Sequence, residues 1–271
     1  MSNIFDEEFK RAKVIPKFTD AKGKVFFESA SDGIKDSTTA SQKYNDCDLK
    51  RLGDGAAQLE AAYTYLALSF AMLTKDDIHV ETISAPQIFH FAGHAFREIG
   101  QLNRAADAYW RAGVIVKPNE FSVRSLARAK SCYSEVGETG KSDHMHVLEW
   151  SARRQIPSQR FPAKALLWIW CITSKYGVSS GRWFLSVGVF LGLFTAGYEL
   201  LYRFGYLYCS RAWTPVLTAA YMAVVTTATV GFGDILPNNW LSQLVVILNI
   251  LIAYGLLAIG STILGRKVLA R

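Results

Sequence analysis

Charged and apolar positions alternate along residues 1–155 as in a soluble protein, whereas the remainder of the chain is mostly apolar. Two apolar stretches stand out, at 184–202 and 240–264, with 19 and 25 residues. Crossing a bilayer takes about 20 apolar residues in a helix, so both stretches predict transmembrane helices. Four charged residues lie between Trp183 and Leu264. The alternative, two core helices of a soluble protein, would need a covering layer that the rest of the chain cannot supply.

Residues 51–155 are predicted to form an α-helical domain. Within it, apolar or small residues recur at helical spacing in two blocks around Gly100, which predicts two amphipathic helices joined by a tight turn. These residues are Phe89, Ala92, Gly93, Phe96, Ala105, Tyr109 and Ala112. The spacing resembles a tetratricopeptide repeat, in which small residues let paired helices approach; a helical bundle without repeats remains the alternative. Residues 1–50 are rich in turn formers and read as an ordered cap or a mobile arm.

Residues 156–182 are predicted to be a linker followed by a helix at the membrane surface. The segment 161–175 is too short to cross a bilayer, and Trp168 and Trp170 suit headgroup depth. A continuation of the soluble domain is the alternative.

Basic residues flank the two predicted spans on one side. Six lie at 153–182, where Asp and Glu are absent, and three more follow residue 264, whereas the connection between the spans has Arg203 and Arg211. This excess places both termini in the cytoplasm. The N-terminus has no apolar signal-peptide region, so we expect a multi-pass protein of the cell (inner) membrane. Anionic lipid explains the basic surplus beside the spans better than nucleic acid does.

The connection between the spans holds the most informative stretch. Residues 212–228 predict a short helix, capped by Thr214 with Pro215 in its first turn, that enters the membrane and stops midway. Non-helical backbone at membrane depth is tolerated where it is buried in protein or lines a cavity. The following TVGFGD, 229–234, is therefore expected to line a pore, where glycines permit backbone angles that turn carbonyl oxygens toward a cation. One strand offers too few oxygens, so a homotetramer is expected.

The TVGFGD motif resembles the selectivity filter of potassium channels, and the order of span, short helix, filter and span resembles two-span bacterial potassium channels. The resemblance covers about 161–271 and implies an all-α membrane protein with a re-entrant pore helix and a pore domain at 183–271. It implies K⁺ sites formed by the backbone carbonyls of Thr229, Val230, Gly231 and Phe232, with Gly233 at the outer mouth.

Other positions receive supporting roles from the same resemblance. Asp234 would brace the filter, and because the short helix lacks an acidic partner, Tyr221 or Trp213 is expected to bond it. Many members of the family have Thr where this chain has Ala228. In the second span, Gly255 and Gly260 are candidate gating hinges, with close helix packing as the alternative.

Chemistry other than conduction finds little support in the sequence. The four cysteines form no metal-binding or disulfide pattern, and the pair His90 and His94 lacks a third ligand for zinc. Neither a nucleophile with its base nor a phosphate loop is visible, so we expect neither an enzyme nor a cofactor. The sequence thus predicts a tetrameric potassium channel that its N-terminal domain gates or localises, with a protein partner for that domain. A membrane-anchored scaffold with a silent pore and a poorly selective cation channel remain the alternatives.

Overall fold

The computed structural model describes residues 4–16, 18, 21–75, 77–80, 83–158 and 160–269. The chain divides into two units, 1–164 and 165–271. Along the chain the elements are α1 (Ile4–Ala12), α2 (Ala21–Asp32), α3 (Ser37–Lys50), α4 (Gly55–Thr74), α5 (Ala85–Glu98), α6 (Leu102–Ile115), α7 (Glu120–Glu135), α8 (Thr139–Gln155), α9 (Phe161–Ser174), α10 (Ser180–Arg203), β1 (Leu207–Cys209), α11 (Leu217–Thr227), β2 (Ile235–Pro237) and α12 (Trp240–Leu269).

The first unit is a helical domain built around α4. This helix packs against α2, α3 and α5, and from α5 to α8 each helix packs against the next. The predicted helix pair is confirmed as α5 and α6, and every core position named from the sequence is buried. Gly100 sits between the two helices with a φ of +76°, a left-handed conformation that glycine adopts without steric cost.

Small residues set the spacing of neighbouring helices in this unit. A Cβ added at Gly93 of α5 would lie 2.7 Å from the ring of Tyr109 on α6, and one added at Gly113 of α6 would lie 2.7 Å from the side chain of Leu126 on α7. Glycine at both crossings therefore lets the backbones approach, as the sequence pattern predicts for Gly93; the crossing at Gly113 is an additional finding. Membership of a tetratricopeptide family stays a prediction.

The described part of residues 1–50 packs as a cap on the same domain. Phe5, Phe27 and other side chains of α1 to α3 share one hydrophobic core with α4 to α8. The carboxylate of Glu8 accepts the ring N–H of Trp110 at 3.0 Å. At the C-terminal end of α1, the buried Arg111 donates hydrogen bonds to the backbone carbonyls of Ala12 and Val14. These helices therefore form an ordered cap and not a mobile arm.

The second unit contains the two predicted spans. Both fall inside longer helices, α10 and α12, and these are the two helices in the described chain that are long and apolar enough to cross a membrane. In their most apolar windows, 17% of α10 and 11% of α12 is buried. Core helices of a soluble protein would be mostly buried, so this exposure argues against the soluble alternative.

Two features of this unit differ from the sequence prediction. Strands β1 and β2 form a short antiparallel ribbon that the sequence did not indicate. Helix α9 matches the predicted surface helix and exposes Trp168, but Trp170 packs edge-on against the fully buried Tyr176, with ring centroids 5.8 Å apart. Trp170 is partly buried by this contact, and the location of both tryptophans at headgroup depth stays a prediction.

Candidate functional site

The short helix α11 ends in a tight cap directly before the TVGFGD segment. Thr227 is its last residue, the amide of Thr229 donates to the carbonyl of Thr226 at 3.0 Å, and the amide of Val230 donates to that of Val225 at 3.1 Å. This pair of bonds is a Schellman motif, whose left-handed position is usually glycine. Here Thr229 occupies it with a φ of +55°, a conformation that costs a residue with a Cβ about 1–2 kcal/mol.

The sign of φ changes along the segment that follows. φ is +55° at Thr229, +56° at Gly231 and +75° at Gly233, whereas Val230 and Phe232 are not among the residues with positive φ. In a regular strand, successive residues face opposite ways. A positive φ at every second residue undoes this alternation, so successive carbonyl groups can turn to one side. The glycines make two of the three positive angles free of steric cost.

The same segment is unusually open in a single chain. Residues 228–233 are all exposed, including 53% of Val230 and 67% of Phe232. A Cβ added at Gly231 or Gly233 would meet no atom of the described residues within 4 Å, leaving aside the glycine's own chain neighbours. Exposed apolar side chains beside a strained backbone indicate a surface that other molecules cover.

The C-terminal end of the segment is fixed beside the β ribbon. The carbonyl oxygen of Asp234 accepts the amide of Ser210 at 3.0 Å and its hydroxyl at 3.2 Å. The Tyr221 hydroxyl lies near the Asp234 side chain, whose negative charge acts on it. The Tyr221 ring also lies nearly parallel to that of Phe232, with centroids 6.4 Å apart. One tyrosine of α11 therefore contacts both the segment and its acidic end.

Trp213 does not contribute the contact expected of it. Its ring N–H donates to Glu199 at 3.0 Å, and its ring stacks on Tyr202 with centroids 3.9 Å apart. The expected bond to Asp234 is thus replaced by one to a carboxylate of α10, which is also a charged acceptor. Of the two proposed partners, the structure brings Tyr221 to Asp234 and places Trp213 elsewhere.

Glu199 is a site residue that the sequence reasoning missed. Its carboxylate also accepts the amide of Val216, the N-cap of α11, at 3.2 Å and the Nε of Arg203 at 3.0 Å. A carboxylate here meets the positive end of the α11 dipole. The expected cap, Thr214, instead donates its amide to the Thr218 hydroxyl at 2.9 Å. The sequence does carry one signal for this contact, because Glu199 stands four residues before Arg203, a spacing at which opposite charges pair on a helix.

The two candidate hinges on α12 have different surroundings. A Cβ added at Gly260 would lie 2.6 Å from the ring of Trp183, whereas one added at Gly255 would meet no described atom of another element within 4 Å. The Trp183 ring N–H donates to the carbonyl of Leu256 at 2.8 Å. Gly260 is therefore a close-packing site, and Gly255 is the hinge candidate that remains.

The histidine pair of the N-terminal unit lies in helix packing. Nδ1 of His90 is 3.0 Å from the Ser125 hydroxyl. Burial, with the charges of Arg128 and His94, lowers the pKa of His90 to about 4. Over the described residues, no group of three or more His, Cys, Asp or Glu side chains could hold a metal ion. His90 is therefore partly buried in helix packing.

Comparison with known proteins adds one finding to this geometry. Residues 189–270 match the family model described as ion channel. No curated protein and no solved structure matches the chain. The matched region begins within α10 and runs through α11, the TVGFGD segment and α12. The match, together with two apolar helices of spanning length, supports an ion-channel domain in a membrane, which is not a class of enzyme.

Proposed function

We propose that this chain is a potassium-selective channel that acts as a homotetramer. The observation that carries the proposal is the φ pattern of the segment between α11 and β2, positive at Thr229, Gly231 and Gly233. Carbonyl oxygens turned to one side replace water around a dehydrated cation. The backbone carbonyls of Thr229, Val230, Gly231 and Phe232 would hold K⁺, with Gly233 at the outer mouth.

The exposure of this segment supports the tetramer. One strand offers too few oxygens for a cation, and the exposed Val230 and Phe232 side chains need a cover. A closed ring of four copies supplies both. The C-terminal end of α11 lies directly before the filter, so its negative dipole end favours a cation in the cavity below.

The remaining expectations concern the surroundings of the pore. Both termini lie in the cytoplasm, and the basic residues beside the spans contact anionic lipid headgroups. The N-terminal helical domain gates or localises the channel through a protein partner. The mechanism is passive conduction, so K⁺ is the permeant ion and no cofactor is needed.

Potassium flux into proteoliposomes that contain the purified full chain tests the proposal. A potassium gradient is expected to drive uptake, and the same gradient of sodium is not. Protein-free liposomes give the leak, and crosslinking in detergent gives the copy number. Equal uptake of sodium and potassium, or a dimer by crosslinking, would refute the proposal.

A further inference from the structure

A polar cluster with two fully buried members joins three helices of the second unit. Asn249 of α12 and Tyr198 of α10 are both 0% exposed. The Asn249 side-chain NH₂ donates to the Tyr198 hydroxyl at 2.9 Å, and its amide oxygen accepts the hydroxyl of Thr227 at 3.0 Å. One amide therefore bridges both long helices and the end of α11.

The position of this cluster in the chain makes it more than helix packing. Thr226 and Thr227 are the last two residues of α11, and the Thr226 carbonyl accepts the amide of Thr229. The cluster thus holds, through side chains, the same turn that caps α11 and begins the TVGFGD segment. Thr229 is strained in this turn, and such conformations persist where surrounding contacts fix them.

The chemistry of an amide suits this task within an apolar unit. A polar side chain buried without partners is costly, so Asn249 holds its two partners in fixed positions. An asparagine both donates and accepts, and here it does each toward a different helix. Leucine, of similar size, would fill the space without fixing either partner.

We propose that Asn249 is a positioning residue for the inner end of the filter. Through Thr227 it holds the last turn of α11 and so sets where the Thr229 carbonyl lies. The inference rests on the proposed function and goes beyond it, because it names the contact that makes the innermost ion site selective. The residue does not touch the ion; it acts through Thr227.

Two conservative substitutions test the proposal. Tyr198→Phe and Thr227→Val each remove a hydroxyl while keeping the shape of the side chain. Tyr208→Phe is the matched control, because it removes a hydroxyl from an exposed tyrosine of β1. The readout is the permeability ratio of potassium to sodium, taken from reversal potentials in planar bilayers, with the fraction of folded protein measured by size exclusion.

We expect each test variant to lower the potassium-to-sodium permeability ratio by about threefold to tenfold, because losing one hydrogen bond inside a membrane protein changes an equilibrium by about that factor. The control is expected to keep the ratio of the unmodified chain. Asn249→Leu removes both bonds and is expected to lower the ratio by at least as much as either single variant. The double variant of Tyr198 and Thr227 should lose less than the product of the single losses, because both act through Asn249.

Unchanged ratios in folded test variants would overturn the inference. So would less folded protein with an unchanged ratio per channel, since that is the signature of a purely structural role. Failure of the proposed function is seen separately, because the unmodified chain would then show no selectivity before any variant is compared.

Discussion

Alanine at Gly231 is expected to abolish conduction through backbone strain. The φ of Gly231 is +56°, and a Cβ there meets no described atom outside its chain neighbours within 4 Å. The left-handed conformation costs a residue with a Cβ about 1–2 kcal/mol. Four copies in one ring would accumulate about 4–8 kcal/mol, which shifts the equilibrium away from the conducting backbone by about 10³–10⁶-fold.

Gly205 provides a matched control for this substitution. It has a φ of +74°, and a Cβ there also meets no described atom within 4 Å beyond its chain neighbours, but it lies between α10 and β1. Gly205→Ala should therefore lower thermal stability to a similar extent as Gly231→Ala. Potassium flux per folded channel should fall to the liposome leak in Gly231→Ala and remain in Gly205→Ala. Equal flux in both variants would refute the argument that the sign of φ at Gly231 sustains conduction.

Three other predictions follow from particular contacts. Gly260→Ala should lower the melting temperature of the detergent-solubilised channel, because its Cβ would meet Trp183 at 2.6 Å, whereas Gly255→Ala should leave it nearly unchanged and alter open probability in bilayers. Glu199→Gln should lower the melting temperature by removing the charge beside the start of α11; thermal scans at low and high salt measure the loss. Lowering the pH from 6.5 to 4 should destabilise the N-terminal unit by about 1–3 kcal/mol, because unfolded His90 takes up a proton that the folded residue, with a pKa of about 4, does not; denaturant unfolding of the full chain followed by circular dichroism measures this.

Each of these predictions has its own control or contrary result. A larger loss of stability in Gly255→Ala than in Gly260→Ala would contradict the packing assignment. A fall in melting temperature in the exposed variant Gln243→Glu as large as the fall in Glu199→Gln would indicate that any charge change in the unit has this effect. If His90→Asn keeps the full pH dependence between 6.5 and 4, the acid sensitivity belongs to other groups.

The elements that could be predicted from the sequence are those encoded locally. Apolar length predicts α10 and α12, and the small residues at Gly93 and Ala112 predict the α5 and α6 pair. The motif at 229–234 stands out because glycine alternates with larger residues, and the same alternation appears in the φ values.

The contacts that could not be predicted join residues far apart in the chain. The bond of Glu199 to Val216 and that of Trp183 to Leu256 depend on how helices meet. No local pattern distinguishes Asn249, with its two partners, from an ordinary polar residue in a span. The choice between Tyr221 and Trp213 as partners of Asp234 is open in the sequence for the same reason, because Glu199 offers Trp213 a second carboxylate.

The reversal potential of the purified chain in a planar bilayer, with potassium chloride on one side and sodium chloride on the other, tests the central claim most directly. The proposed carbonyl filter predicts a reversal potential close to the potassium equilibrium potential. A reversal potential near zero, in channels that conduct both ions, would contradict potassium selection by the TVGFG segment.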